Sequence, residues 1–224
     1  MFALIALGGN CVYSEELQVM ARKCDKIIAA DSGYVHLEHL GIKPENLVGD
    51  MDSIPDEYLA RAKTDKTIHI TEYDKKKDMT DSEIAGELAI KNGCDGILFI
   101  GAIGNRPDHV LGNQMYAVSL AMKGIQCVLT DGMTWFYTVT KKNSPFKIPT
   151  EGKLPEENII SIVPVNSDLK DVRISGLEYE LESELLEFGS QRAVSNTITG
   201  SKNNAYLSVS SGVAFLISTK EDSD

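Results

Sequence analysis

Several features that announce whole classes of function are scarce or missing in this chain of 224 residues. Basic residues are in deficit: 22 Lys and Arg against 33 Asp and Glu leave a formal net charge of −11 and a pI of about 4.9. A chain of that sign has no broad attraction to nucleic acid or to an anionic membrane, and neither partner is expected. Cysteine is sparse, with Cys11, Cys24, Cys94 and Cys127 widely spaced and no C-x-x-C pair. This excludes the familiar zinc and dithiol motifs and reads as small buried hydrophobes in a reducing cytoplasm. Long apolar runs are missing too: the opening Phe2-Ala3-Leu4-Ile5-Ala6-Leu7 is too short to span a bilayer and follows no basic segment, so it reads as a buried first strand. No G-x-x-x-x-G-K-S/T sequence and no dinucleotide glycine fingerprint occurs, which excludes an ordinary P-loop and a Rossmann dinucleotide site. There is no low-complexity tract and no internal repeat. The 42% hydrophobic and 25% charged content is that of a globular protein.

What is there alternates. Short apolar runs at Phe2 to Leu7, Lys26 to Ala30, Leu47 to Val48, Ile68 to Ile70, Ile97 to Ile100 and Cys127 to Thr130 are separated by helical patterns at Ser14 to Cys24, Gly33 to Leu40, Asp81 to Asn92 and Asp108 to Met122. Such alternation predicts an open, mostly parallel sheet with flanking helices over residues 1–140. Thr80 with Glu83 forms a capping box and Gly93 a stop for the third helix. From Lys141 the texture changes to a Pro-containing stretch, read as a linker over 141–157. Beyond it, β-type runs at Asn158 to Val165, Val172 to Ile174, Tyr179 to Leu181, Tyr206 to Val209 and Val213 to Ile217 predict a C-terminal antiparallel β-sandwich over 158–224. Trp135 and Tyr137 read as core.

Six aspartates sit where predicted strands end or helices begin: Asp31, Asp50, Asp52, Asp78, Asp81 and Asp108. One such residue is an ordinary turn or cap residue. Carried by the loops of several strands, which gather at one edge of a parallel sheet, they become a candidate site for a hard divalent cation and phosphate. Asp50 and Asp52 flank one residue after Gly49 and can face the same side. In Gly101-Ala102-Ile103-Gly104-Asn105-Arg106 the glycines permit close backbone approach and the Arg106 guanidinium can grip phosphate. His109 follows at a helix start, where it either carries a proton or orients its neighbours. Gly8-Gly9-Asn10 can bring backbone N–H groups to a nucleotide, and the run Lys75, Lys76, Lys77 can neutralise phosphate oxygens.

In order and spacing, Leu7-Gly8-Gly9-Asn10, Ala30-Asp31-Ser32-Gly33, Gly49-Asp50-Met51-Asp52-Ser53, Lys77-Asp78-Met79-Thr80-Asp81 and Gly104-Asn105-Arg106-Pro107-Asp108-His109 closely resemble the thiamine pyrophosphokinase family. The resemblance implies a catalytic α/β domain followed by a thiamine-binding β-sandwich. It implies transfer of a diphosphoryl group from ATP to the hydroxyethyl oxygen of thiamine, with AMP released. Mg²⁺ and a homodimer, its thiamine site completed by the partner's β-domain, are implied as well. By matching position Asp50, Asp52 and Asp78 would hold metal and phosphates, with Asp108 beside them and Arg106 on phosphate; Asp31, Thr80 and Asp81 would line the same cleft with Gly8, Gly9, Asn10, Lys77, Gly104 and His109. Ser195 and Asn196 correspond to a signature that touches the thiamine pyrimidine. The chain departs from the family pattern at Thr197, where glutamate is common, at Met51, commonly phenylalanine, and at Asn105, commonly the second glycine of a pair.

A primary alcohol is a weak nucleophile toward a polyphosphate, so the chemistry asks for positioning, charge neutralisation and a base. Asp78 and Asp108 are both candidates for that base. Two other readings keep the site: a diphosphotransferase or kinase for another heteroaromatic alcohol, to which Thr197 draws attention, and a nucleotide-binding protein without turnover.

Overall fold

The computed structural model describes residues 1–74, 78–149, 158–199 and 204–220. The chain divides into two compact units, the first formed by Met1–Tyr116 with Cys127–Gly132 and the second by Ala117–Gln126 with Met133–Asp224.

In the first unit strands and helices alternate: β1 (Phe2–Ala6), α1 (Glu15–Ala21), β2 (Lys26–Ala30), α2 (Gly33–Leu40), β3 (Asn46–Gly49), α3 (Asp56–Thr64), β4 (His69–Glu72), α4 (Asp81–Lys91), β5 (Gly96–Ile100), the start of α5 (Pro107–Met122) and β6 (Gln126–Thr130). The strand order is β6-β5-β1-β2-β3-β4. β1 pairs in parallel with both β2 and β5, in register Ala3 to Lys26 and Ala3 to Ile97. Every residue of β5 and all of β1 but Phe2 is buried, as expected of strands covered on both faces. The order reverses at β1: β2, β3 and β4 build outward on one side and β5 on the other. Where a doubly wound sheet reverses, the loops after the two flanking strands part and leave a crevice.

Local chemistry sets the helix starts. Ser14 caps α1 by accepting from the Leu17 N–H at 3.3 Å. Thr80 caps α4 with the full capping box: its hydroxyl accepts from Glu83 N–H at 3.3 Å while Glu83 Oε2 accepts from Thr80 N–H at 2.8 Å. Proline at the first position of α5 suits a site whose N–H would have no helical partner. Helix α3 was not expected from the sequence, because only Ala62 of its nine residues is buried and it shows no apolar stripe.

The second unit holds β7 (Trp135–Thr140), β8 (Phe146–Lys147), β9 (Asn158–Pro164), β10 (Leu169–Ser175), β11 (Leu181–Leu186), β12 (Asn196–Thr197), β13 (Tyr206–Ser208) and β14 (Val213–Lys220). They form two antiparallel sheets, β12-β9-β14-β7 and β11-β10-β13-β8. The Tyr137 ring on β7 meets the Phe146 ring on β8 at 5.7 Å between centroids, so side chains of the two sheets share one core. Trp135 and Tyr137 are 1% and 4% exposed and belong to that core. The texture of the sequence changes at Lys141, but β7 pairs with β14 along six residues and so groups with the second unit. The expected linker contains a short 3₁₀ turn at Lys141–Asn143 and β8, and its residues 150–157 lie outside the described residues. The strand expected at Tyr179 to Leu181 begins instead at Leu181, since Tyr179 is held in a turn by Asn196. Among the described residues no helix is long and apolar enough to cross a membrane.

Candidate active site

At the crevice between β1 and β5, two glycine-bearing loops are joined by backbone hydrogen bonds. Gly9 N–H donates to Gly101 O at 2.8 Å and Asn10 N–H to Ile103 O at 2.6 Å. A side chain at Gly9 would overlap the carbonyls of Gly101 and Ile103, so glycine is required for this approach. Two of the amides expected to face a nucleotide are thus spent on joining the loops. Asn113 on α5 ties down the second loop by donating to Ala102 O at 3.1 Å.

The next wall comes from the loops after β2 and β3. Asp31, at φ +48°, accepts from Met51 N–H at 3.0 Å, and Met51 itself adopts φ +66°. Asp50 Oδ1 accepts from Asp52 N–H at 3.1 Å. The turn is tight because Gly49, at φ +141°, has no side chain: a Cβ there would overlap the Asp31 carboxylate. Ser53 Oγ accepts from Ser32 N–H at 3.2 Å and joins the same two loops. Burial pushes the Asp31 carboxyl up to about 7, with the nearby Asp81 carboxyl adding to the rise and the Met51 hydrogen bond opposing it. The fourth wall is the N-terminus of α4, where Asp81 opens the helix and Thr80 caps it.

These walls enclose a cavity of about 840 Å³ lined by Gly8, Gly9, Asn10, Asp31, Asp50, Asp52, Asp78, Thr80, Asp81, Gly104, Arg106 and His109 among others. Twelve of the residues expected at the nucleotide and metal site therefore meet at one place. Asp108 is not on the lining. Its carboxylate instead accepts from Arg106 Nε at 3.0 Å and Nη2 at 2.6 Å, and this bidentate pairing holds the carboxyl down at about 2. A carboxylate so held is a poor proton acceptor, which counts against Asp108 as the base. Lys77 lies outside the described residues.

Among the described residues no three His, Cys, Asp or Glu side chains converge closely enough to hold a metal ion by themselves. Asp50, Asp52 and Asp78 share the cleft without forming a closed cage. The donor set still fits Mg²⁺, which takes one or two carboxylates and completes its shell with water and substrate phosphate oxygens.

In the second unit a smaller cavity of about 410 Å³ is lined by residues including Glu178, Tyr179, Arg192 and Asn196. Asn196 is 2% exposed, and its side chain is consumed by Tyr179: Nδ2 donates to Tyr179 O at 2.8 Å and Oδ1 accepts from Tyr179 N–H at 3.0 Å. Asn196 therefore shapes this pocket and is itself on its lining. Ser195 is exposed, at φ +61°, and is not on the lining. Thr197 Oγ1 donates to Glu178 Oε2 at 2.9 Å, so the residue that departs from the family pattern carries a carboxylate beside it.

Residues 17–129 match the family described as thiamin pyrophosphokinase, catalytic domain, and residues 145–214 match thiamin pyrophosphokinase, vitamin B1 binding domain. The chain belongs to the thiamin pyrophosphokinase family. Membership makes it an enzyme, a thiamine diphosphokinase using ATP as co-substrate. A thiamine pyrophosphokinase of Bacillus subtilis is 28% identical over 191 residues, 85% of each chain. The crystal structure of thiamine pyrophosphokinase from Bacillus subtilis shares the fold with a TM-score of 0.83 at 23% identity, covering 99% of this chain and 100% of that one. Thiamin pyrophosphokinase from Candida albicans does so with a TM-score of 0.74 at 17% identity, over 97% of this chain and 88% of that one.

The sequence did not point to His36 and Tyr13, which support the cleft from behind, or to Asn113, which is on its lining. A signal for His36 existed: with His39 it marks a polar edge at i, i+3 of a helix whose Tyr34, Leu37 and Leu40 are buried.

Proposed function

We propose that the cavity of the first unit is where the diphosphoryl group of ATP passes to thiamine. The observation that carries this reading is the meeting of Asp31, Asp50, Asp52, Asp78, Asp81 and Arg106, from separate strand-end loops, around one cavity at the sheet's reversal point. In the transfer the hydroxyethyl oxygen attacks the β-phosphorus, the bond from that phosphorus to the oxygen bridging it to the α-phosphorus breaks, and AMP leaves with the electron pair. The hydroxyl proton passes to a carboxylate, for which Asp78 on the lining is better placed than Asp108. Asp50, Asp52 and Asp78 would hold Mg²⁺, which supplies neutralisation of phosphate oxygens when bound. Arg106 is oriented by Asp108 on its Nε and Nη2 edge, leaving Nη1 and the second N–H of Nη2 to take up phosphate charge. The carboxylates also suit the cationic thiazolium.

The match of residues 145–214 supports the second unit as the thiamine-binding part. Glu178 and Tyr179 offer a carboxylate and an aromatic ring to an aminopyrimidine. The family resemblance supports a homodimer that shares its thiamine sites between subunits, at work in the cytoplasm.

The test is product analysis after incubating the purified chain with ATP, Mg²⁺ and thiamine. AMP and thiamine diphosphate in equal amounts are expected. ADP with thiamine monophosphate would refute diphosphoryl transfer.

A further inference from the structure

Behind the paired glycine loops runs a chain of hydrogen bonds that touches the cleft only through backbone. His36 Nε2 lies 2.9 Å from Gly9 O, His36 Nδ1 lies 2.9 Å from the Tyr13 hydroxyl, and that hydroxyl lies 3.1 Å from His39 Nδ1, which is in turn 2.9 Å from Val35 O. Its polarity follows from its two ends. A carbonyl oxygen only accepts, so His36 Nε2 and His39 Nδ1 both carry hydrogen. In a neutral His36 ring Nδ1 then accepts, and the Tyr13 O–H donates to it while its oxygen faces the His39 N–H. The Tyr13 and His36 donors both point toward Gly9, so these two bonds reinforce one another, while the single His39 Nδ1 hydrogen donates to Val35 O and can only be shared with the Tyr13 oxygen. Burial lowers the His36 pKa and favours that neutral ring.

Gly9 O belongs to the peptide unit whose N–H, that of Asn10, donates to Ile103 O at 2.6 Å. His36 thus grips one end of this planar unit while the opposite loop grips the other. The His36 ring also packs against that opposite loop: a Cβ on Gly101 would stand 3.2 Å from His36 Cδ2. His36 is not on the cavity lining.

We propose that His36 is a positioning residue for nucleotide binding, fixing through Gly9 O the orientation of the joined Gly8-Gly9-Asn10 and Gly101–Gly104 loops, with Tyr13 setting its tautomer. This rests on the reading of the first-unit cavity as the ATP site. Its role is preorganisation: the loops are held in their binding geometry before the ligand arrives, so the cost of ordering them is not drawn from binding.

The experiment compares His36→Phe, which keeps a ring and removes the donor, with His36→Gln, whose amide nitrogen can replace Nε2. The probe is α,β-methylene-ATP with Mg²⁺, titrated calorimetrically into the full chain, with steady-state kinetics alongside. His36→Phe is expected to weaken binding about tenfold and raise the KM for ATP to match, with kcat changed less than about threefold and His36→Gln within about threefold of the parent. A purely structural role predicts that the two variants behave alike. Equal affinities for Phe and Gln, whether both unimpaired or both impaired, would overturn the proposal. Gly104→Val separates the two levels, since Gly104 lines the cavity and a Cβ there stands 3.1 Å from Gly9 Cα. If it abolishes analogue binding while His36→Phe binds normally, the cavity reading stands and the His36 role fails. If it leaves binding intact, the cavity reading fails and the His36 role falls with it.

Discussion

Arg106 and Asp108 show how one pair of side chains can be read two ways. Side by side in the sequence they look like two members of a site, a phosphate grip and a candidate base. Their bidentate contact makes them one unit, with Asp108 holding the guanidinium plane and losing basicity in the exchange. The cysteines are a second case where surroundings decide chemistry. Burial pushes Cys11 and Cys24 up to about 11 and Cys127 up to about 12, so at neutral pH almost none of these sulfurs is thiolate. Iodoacetamide should therefore label Cys11 and Cys24 slowly at pH 8, at rates that climb about tenfold per pH unit and do not level off near 9 as a free thiol does. Mass spectrometry of quenched samples reads this directly. Rapid labelling at pH 8 that is already at its plateau would show that burial does not control these thiols.

Among the elements, those with clear chemical boundaries were legible in the sequence. β2 and α2 occupy the expected residues, since Lys26 to Ala30 is a compact apolar run and Gly41, at φ +61°, ends the helix. Helix α3 was illegible because it exposes nearly all of itself, and β7 because its apolar run ends at the change of texture that begins at Lys141. Most of the cleft was legible because the aspartates follow strands that each signal their own end. What stayed hidden depends on contacts between distant segments: the 20-residue reach from Asp31 to Met51, and that of 27 residues from Gly9 to His36. Helix α4 links stability to the site, since Thr80 caps it and lies on the cavity lining. Thr80→Ala should cost about 1 kcal/mol. In a protein of this size that lowers the melting temperature by about 2–4 °C, measurable by thermal denaturation followed by circular dichroism. No change in melting temperature would mean that the capping box contributes nothing to the fold.

For the molecule as a whole, acidity and function are reconciled by location. The net charge of −11 repels polyphosphates at long range. The first unit answers locally, with Arg106 and a set of carboxylates able to recruit a cation, at the one reversal in its strand order. The second unit, with a different architecture and its own pocket, matches the vitamin-binding family domain. We propose that transfer depends on the carboxylates of the first-unit cavity. The most direct test is the initial rate of AMP formation by Asp50→Asn, measured beside the parent at saturating ATP, thiamine and Mg²⁺, with melting temperatures taken on the same preparations. A fall of about a hundredfold or more at an unchanged melting temperature is the expected result. A rate equal to the parent's would contradict the assignment of the cavity as the site of transfer.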